Sequence, residues 1–234
     1  VDVGRIKKVD SQVKRFVQSG VAGIYLCGAF ENMGLEGPVY YVYGKTLGDP
    51  SLNEAELLGD YCRAAFGKAR APMLKFFEAM YARLEAFSLT NRPNYRSDAP
   101  AGVRTFSTPE DFYCHFFPAK LLAEMAANLE RAKAADADPE VQARLSLVEQ
   151  EFAYVRNLAS IFQLYRAYRL RPGWHSFDLL AAELDQREAL LKTWFDDKGN
   201  AKAFDGWTRF MGGATLAEVR AGGRLGGTLS APVN

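Results

Sequence analysis

Ala22-Gly23-Ile24-Tyr25-Leu26-Cys27 is the stretch on which the reading of this chain turns. The run is short and apolar, lies between Gly20 and Gly28, and has helical patterns on both sides, which suits a buried strand of a parallel sheet. No other stretch carries a comparable strand signal. A strand presents backbone donors and acceptors along both edges, and burying them without partners is costly. The missing partners imply missing chain, so the expectation is a mainly helical segment of a larger protein that does not contain a complete active site.

Working outward, Val13, Phe16 and Val17 recur at helical spacing within Val9 to Ser19, and Gly20 supplies a C-terminal stop. Lys7-Lys8 and Lys14-Arg15 read as a solvated face of that helix. On the other side, Gly28 to Gly37 reads as a loop at the C-terminal end of the strand, with Pro38 as first residue of a helix Val39 to Leu47. After the Gly48-Asp49-Pro50 turn, Asn53 with Glu56 forms a capping box. Leu57, Tyr61 and Ala64 then make an inner face that ends at Gly67. Pro72 opens a helix with the stripe Leu74, Phe77, Tyr81 and Leu84.

Ser88 to Ser107 is rich in Asn, Pro, Ser, Gly and Arg without apolar period and reads as a long loop. Thr108-Pro109-Glu110-Asp111 signals a new helix, followed by one marked by Leu122, Met125 and Leu129. Asp138-Pro139-Glu140 starts the strongest helix, with a heptad-like seam of Val141, Leu145, Val148, Phe152, Val155, Ala159 and Phe162. Arg171-Pro172-Gly173 breaks it, and Phe177, Leu180, Leu184, Leu191 and Trp194 outline one more helix before the Asp197-Lys198-Gly199-Asn200 turn.

Composition narrows the function classes. Hydrophobic residues make up 48% and charged residues 24% of the 234 residues, ordinary values for a packed, water-soluble chain. The 29 Lys and Arg nearly cancel the 28 Asp and Glu, and a formal charge of +1 offers no field for a polyanion, so nucleic acid is not expected as a partner. No apolar run approaches the roughly 20 residues that span a bilayer, so a membrane span is not expected either. Cys27, Cys62 and Cys114 are far apart and form no C-x-x-C pair, which suits buried or inert thiols rather than disulfides or zinc. The chain opens at Val1 without an initiator Met or a leader, which leaves localisation open.

Glu36-Gly37-Pro38-Val39-Tyr40-Tyr41-Val42-Tyr43-Gly44-Lys45-Thr46-Leu47, then Asp49-Pro50-Ser51-Leu52 and Asp60-Tyr61-Cys62-Arg63-Ala64-Ala65-Phe66-Gly67, resembles one bacterial family. That family is glycosidase-like, is classed as a domain of unknown function, and is distantly similar to α-glucuronidases. The resemblance covers residues 21 to 87 and continues beyond them mainly as helical character. In that family a late strand of a (β/α)8 barrel leads into an aromatic, Lys- or Arg-bearing helix, a D-P-S-L turn and a helical C-terminal region.

The fold so implied is mainly α: the last βα unit or units of a (β/α)8-type barrel, followed by a helical C-terminal domain. Residues 1–50 would be the barrel fragment, 51–211 the helical domain and 212–234 a glycine-rich tail. The implied function is the C-terminal part of a carbohydrate-active, glycoside-hydrolase-like protein that meets its carbohydrate through the parent. Catalytic carboxylates would lie on strands preceding Val1, so no residue here is assigned a catalytic role. The alternative is a non-catalytic helical interaction or dimerisation module, with the Val141 to Phe162 seam as its surface.

Side chains just past the ends of barrel strands line the active site of that fold, which makes Phe30, Glu31, Asn32 and Met33 the candidate substrate-binding residues. Glu and Asn could bind sugar hydroxyls and Phe could stack on a sugar face; the plain alternative is a solvated loop. Glu31 could pair with Glu36 as two glycosidase carboxylates, or stand at the centre of a small self-sufficient enzyme. Glu36 fits better as a favourable charge at the start of the next helix. Tyr40, Tyr41 and Tyr43 could form a sugar platform but suit a helix core better.

His115 and His175 are the only histidines and share no ligand spacing, so neither a metal site nor a cofactor is expected. His175, beside Trp174 in a turn, could line a surface cleft or simply pack. Gly222-Gly223-Arg224-Leu225-Gly226-Gly227 follows no strand and reads as flexible tail rather than a phosphate cradle.

Overall fold

A computed structural model describes residues 6–24, 33–90 and 109–194. The described helices are α1 (Ile6–Gln18), α2 (Met33–Gly48), α3 (Glu54–Phe66), α4 (Arg70–Thr90), α5 (Pro109–Phe116), α6 (Ala119–Ala135), α7 (Pro139–Leu170) and α8 (Trp174–Trp194). A 3-10 turn, Gly67–Ala69, joins α3 to α4. The protein is mainly helical, and no strand occurs among the described residues. Of the expected strand, Ala22, Gly23 and Ile24 have no regular secondary structure, and Tyr25 to Cys27 lie outside the described residues. The same holds for most of the expected Ser88 to Ser107 loop, although α4 runs on to Thr90, and for the 212–234 tail.

The helix ends follow local chemistry. Gly20 has φ 76°, Gly20 N–H donates to the Val17 carbonyl and Val21 N–H to the Phe16 carbonyl, which is the Schellman arrangement that stops α1. Asn53 accepts from the Ala55 and Glu56 amides at 2.9 and 3.3 Å and starts α3, and Gly67, at φ 48°, ends it. Asp138 caps α7 by accepting from Glu140 and Val141 at 2.8 and 3.2 Å.

Three starts differ from expectation: α1 begins at Ile6, ahead of Val9, and α2 and α4 also depart. α2 begins at Met33, so Gly34 to Gly37 is helix rather than loop and Pro38 lies inside it. α4 begins at Arg70, which places Pro72 in its first turn, where a missing N–H costs nothing.

The chain divides into two compact units, one of residues 1–90 with 120–152 and the other of residues 91–119 with 153–234. In the first, α1 packs on α2 and α2 on α3, and α3 packs on α4. The core face of α1 is Ile6, Val9 and Val13, while Val17, expected inside, is 38% exposed. On α3 the inner face is Leu57, Leu58, Cys62 and Phe66; Ala64, expected there, is exposed and Tyr61 is half-buried. α4 buries Met73, Phe76, Phe77, Met80 and Tyr81. Each such side chain taken from water contributes about 1.5 to 3 kcal/mol before entropy is counted. Phe76 meets Phe77 and, on α7, Phe152 edge-on, with both centroid separations 5.3 Å.

Polar ties fix the edges of this core. Lys14, read from sequence as solvated, pairs with Asp10 at 2.9 Å and donates to the Leu52 carbonyl at 2.9 Å, which fastens α1 to the α2–α3 turn. Asp136 accepts from the Lys68 amide at 2.9 Å, so the α6–α7 turn holds the 3-10 turn.

In the second unit, Tyr113 of α5 stacks on Phe162 of α7 at 5.3 Å. Arg166 donates to Glu110 at 3.0 Å and to Asp111 at 2.7 Å, and Gln163 donates to the Phe117 carbonyl at 2.7 Å. α8 returns along α7 with Leu180 and Leu191 buried, Asn157 donating to Glu183 at 2.7 Å, and Arg187 over the Tyr154 ring at 5.1 Å. The α7 seam is core in both units: Val141, Leu145, Val148, Phe152, Ala159 and Phe162 are all buried and Val155 is half-buried. It is not an exposed stripe awaiting a partner.

Candidate functional site

α2 starts where the sequence places the candidate loop. Met33 is its first residue and is half-buried; Phe30, Glu31 and Asn32 lie outside the described residues. The next two amides, of Gly34 and Leu35, have no partner within their own helix and need an acceptor. They donate to the two carboxylate oxygens of Glu151 on α7, at 2.7 and 2.8 Å. Both glycines of Gly34-Leu35-Glu36-Gly37 are there for close approach. A Cβ at Gly34 would stand 2.8 Å from the Glu151 carboxylate and from the Leu147 carbonyl oxygen, and one at Gly37 would stand 2.3 Å from the Tyr61 hydroxyl. Only glycine lets the first turn of α2 lie against α7 and α3.

Around this contact the polar groups are sealed. Glu36 is 7% exposed and accepts from the Tyr40 hydroxyl at 2.8 Å; Glu151 is 2% exposed. Tyr81, also buried, donates to the Leu35 carbonyl at 2.9 Å. Burial pushes the Glu151 carboxyl up to about 7, Glu36 adds to the rise, and the two amide bonds oppose it. Burial also drives the Tyr81 and Tyr61 hydroxyls well above their ordinary range. Glu36 sits in the first turn, where the helix dipole favours a negative charge, as its sequence position suggests. Glu36 and Glu151 are both buried, and the two bonds that Glu151 accepts hold the start of α2 against α7.

An open cleft of about 630 Å³ lies between α2, α3 and α4, with a floor that includes Leu52, Leu57 and Leu74 and with Lys45, Arg63 and Arg70 among its polar lining. Its ordering residue is Asp60, which accepts from the Tyr41 hydroxyl and pairs with Arg63. Those bonds hold the Asp60 carboxyl below its usual range and raise the Tyr41 hydroxyl, so Asp60 stays ionised and is no proton donor near neutral pH. Lys45 lies 5.4 Å from the Tyr41 ring centroid. Tyr40 and Tyr41 are half-buried and tied to carboxylates, and Tyr43 is core, so the three do not make one exposed platform.

In the second unit the Glu110, Asp111, Arg166 and Arg169 ion pairs line an open cleft of about 580 Å³. Trp174 and His175 are the first residues of α8 and both are exposed.

Cys62 lines the first cleft but is buried, and desolvation pushes its thiol up to about 12, so it is unreactive at neutral pH. Burial also raises Cys114, and Cys27 lies outside the described residues. Among the described residues no group of three or more His, Cys, Asp or Glu side chains is placed to hold a metal ion, and no helix is long and apolar enough to cross a membrane.

Sequence reasoning passed over Glu151 and Asp60. The signal for Glu151 is its place on the seam, one turn after Val148 and beside Phe152, where a carboxylate has to find a buried partner. For Asp60 the signal is weaker, a carboxylate three residues before Arg63 on one helix face. No protein family, no curated protein and no solved structure matches the chain.

Proposed function

We propose that the chain is the C-terminal part of a carbohydrate-active, glycoside-hydrolase-like protein whose catalytic carboxylates lie upstream of Val1. In this reading residues 1–50 complete a (β/α)8-type barrel, Phe30, Glu31, Asn32 and Met33 contact the sugar, and the helices that follow are a buttress without chemistry of their own. The supporting observation is the grip of Glu151 on Gly34 and Leu35, the two residues directly after Met33. A loop that touches substrate has to be rooted in a rigid element, and α7 provides that root through a buried contact 117 residues away in sequence. The sealed state of Glu36 and Glu151 supports a chemistry located elsewhere. The rival reading, a dimerisation module acting through the Val141 to Phe162 seam, has the burial of that seam against it.

The test compares the 234-residue chain with its upstream-extended parent on aryl glycosides. The parent turns over, the chain alone does not, and Glu31→Gln in the parent raises KM about tenfold, the order expected for one lost hydrogen bond to substrate. Turnover by the chain alone, or an upstream region without acidic residues at strand ends, overturns the proposal.

A further inference from the structure

The open cleft of about 630 Å³ between α2, α3 and α4 lies wholly within the first unit. Small-molecule sites run from about 300 to about 1,000 Å³ and join an apolar floor to a few placed polar groups, and this cleft has both. Its floor is leucine: Leu57 is buried, and Leu52 and Leu74 are half-buried. On the α3 wall a Cβ at Gly59 would meet nothing within 4 Å. Glycine weakens a helix interior, and unlike Gly34 and Gly37 this one answers to no close neighbour among the described residues. It leaves the wall of the cleft bare.

The polar lining carries an unbalanced charge. Lys45, Arg63 and Arg70 are three cations against the two carboxylates of Glu56 and Asp60, a surplus of one. Asp60 is already committed, since it pairs with Arg63, accepts from the Tyr41 hydroxyl and lies in the field of Lys45. Arg70 is exposed and begins α4, at the positive end of the helix dipole, in a first turn that holds no acidic residue. No carboxylate among the described residues pairs with it. An anion at that point is favoured by the guanidinium and by the dipole together.

We propose that this cleft binds a small carboxylate with an apolar body, its head on Arg70 and its body along Leu52, Leu57 and Leu74 past the bare wall at Gly59. A surplus of one positive charge suits a carboxylate better than a doubly charged phosphate, and the planar guanidinium can engage both carboxylate oxygens. The cleft is lined by no aromatic ring and by no amide or hydroxyl side chain, so it is not built for a sugar. It needs only α2, α3 and α4 and works whether or not a longer parent acts on carbohydrate.

Octanoate is the probe, with acetate and octanol as its two parts. Titrated into the full chain and followed by amide and methyl chemical shifts, octanoate saturates with a Kd of about 0.1 to 1 mM and moves Leu57, Gly59, Ala71 and Leu74. Acetate and octanol each bind at least about tenfold more weakly, because one lacks the apolar body and the other the charge. Arg70→Gln weakens octanoate about tenfold and leaves octanol unchanged, a split that a merely structural role for Arg70 would not produce. Gly59→Leu fills the bare wall and weakens octanoate about tenfold or more, while its urea midpoint holds or rises. Arg70 is exposed and makes no pair whose loss could unfold the chain, so Arg70→Gln decides the matter even where Gly59→Leu does not fold. No saturation by about 10 mM, shifts centred away from the cleft, octanol as tight as octanoate, or either folded variant binding octanoate as tightly as the unaltered chain overturns the site.

Discussion

Gly34 and Gly44 lie on the same helix and differ in what surrounds them. A Cβ at Gly34 meets the Glu151 carboxylate and a backbone carbonyl at 2.8 Å, and the carbonyl cannot step aside; a Cβ at Gly44 meets nothing within 4 Å. Gly34→Ala is therefore expected to destabilise the protein by about 1 to 3 kcal/mol through forced separation of α2 from α7. Gly44→Ala is expected to stabilise it by about 0.5 to 1 kcal/mol through reduced freedom of the unfolded chain. Urea midpoints of the two variants, moving in opposite directions from the parent, check the pair. Equal shifts would mean that the close approach at Gly34 is relieved at no cost.

Whole helices here start and stop for reasons carried by a few residues, and those reasons can be removed one at a time. Asn53→Ala takes away the acceptor for Ala55 and Glu56, and Asp138→Ala the acceptor for Glu140 and Val141. Each is expected to cost about 1 kcal/mol, seen as a lower urea midpoint with an unchanged slope. Losses well under half that would show that water serves these ends as well as the side chains do. α5 illustrates the opposite dependence. Its 8 residues are too few to persist alone, and it is held from outside by Arg166 and by the Tyr113–Phe162 stack.

Across the molecule the stability-pH profile is expected to carry the mark of Glu151. Its folded value of about 7 lies above its ordinary 4.5, so the native state keeps a proton that the unfolded chain gives up. Its contribution is fully present below about 4.5 and is lost as pH rises through about 7, a difference of roughly 3 kcal/mol from the span between the two values. Glu151→Gln is expected to flatten that fall, as read from urea midpoints between about pH 5 and about pH 8 for both chains. A variant profile parallel to that of the parent would place the titration elsewhere.

The division between sequence and fold follows the same scales. Caps at Asn53 and Asp138, stops at Gly20 and Gly67 and the Arg171-Pro172-Gly173 break are interactions within a few residues, and they are legible from sequence because the partners are neighbours in the chain. The mainly helical class and the apolar seam of α7 follow from spacing for the same reason, whereas the burial of that seam within its own chain is a property of the fold. The start of α2 was not legible. Gly34-Leu35-Glu36-Gly37 has the composition of a loop and becomes helix because Glu151, 117 residues away, accepts its first amides and because two glycines admit α7 and Tyr61. Sequence by itself determined which segments could be helices; the tertiary structure alone decided where α2 begins and which buried carboxylate holds it. The physical reason is that a helix end takes its acceptor from whatever the fold brings near.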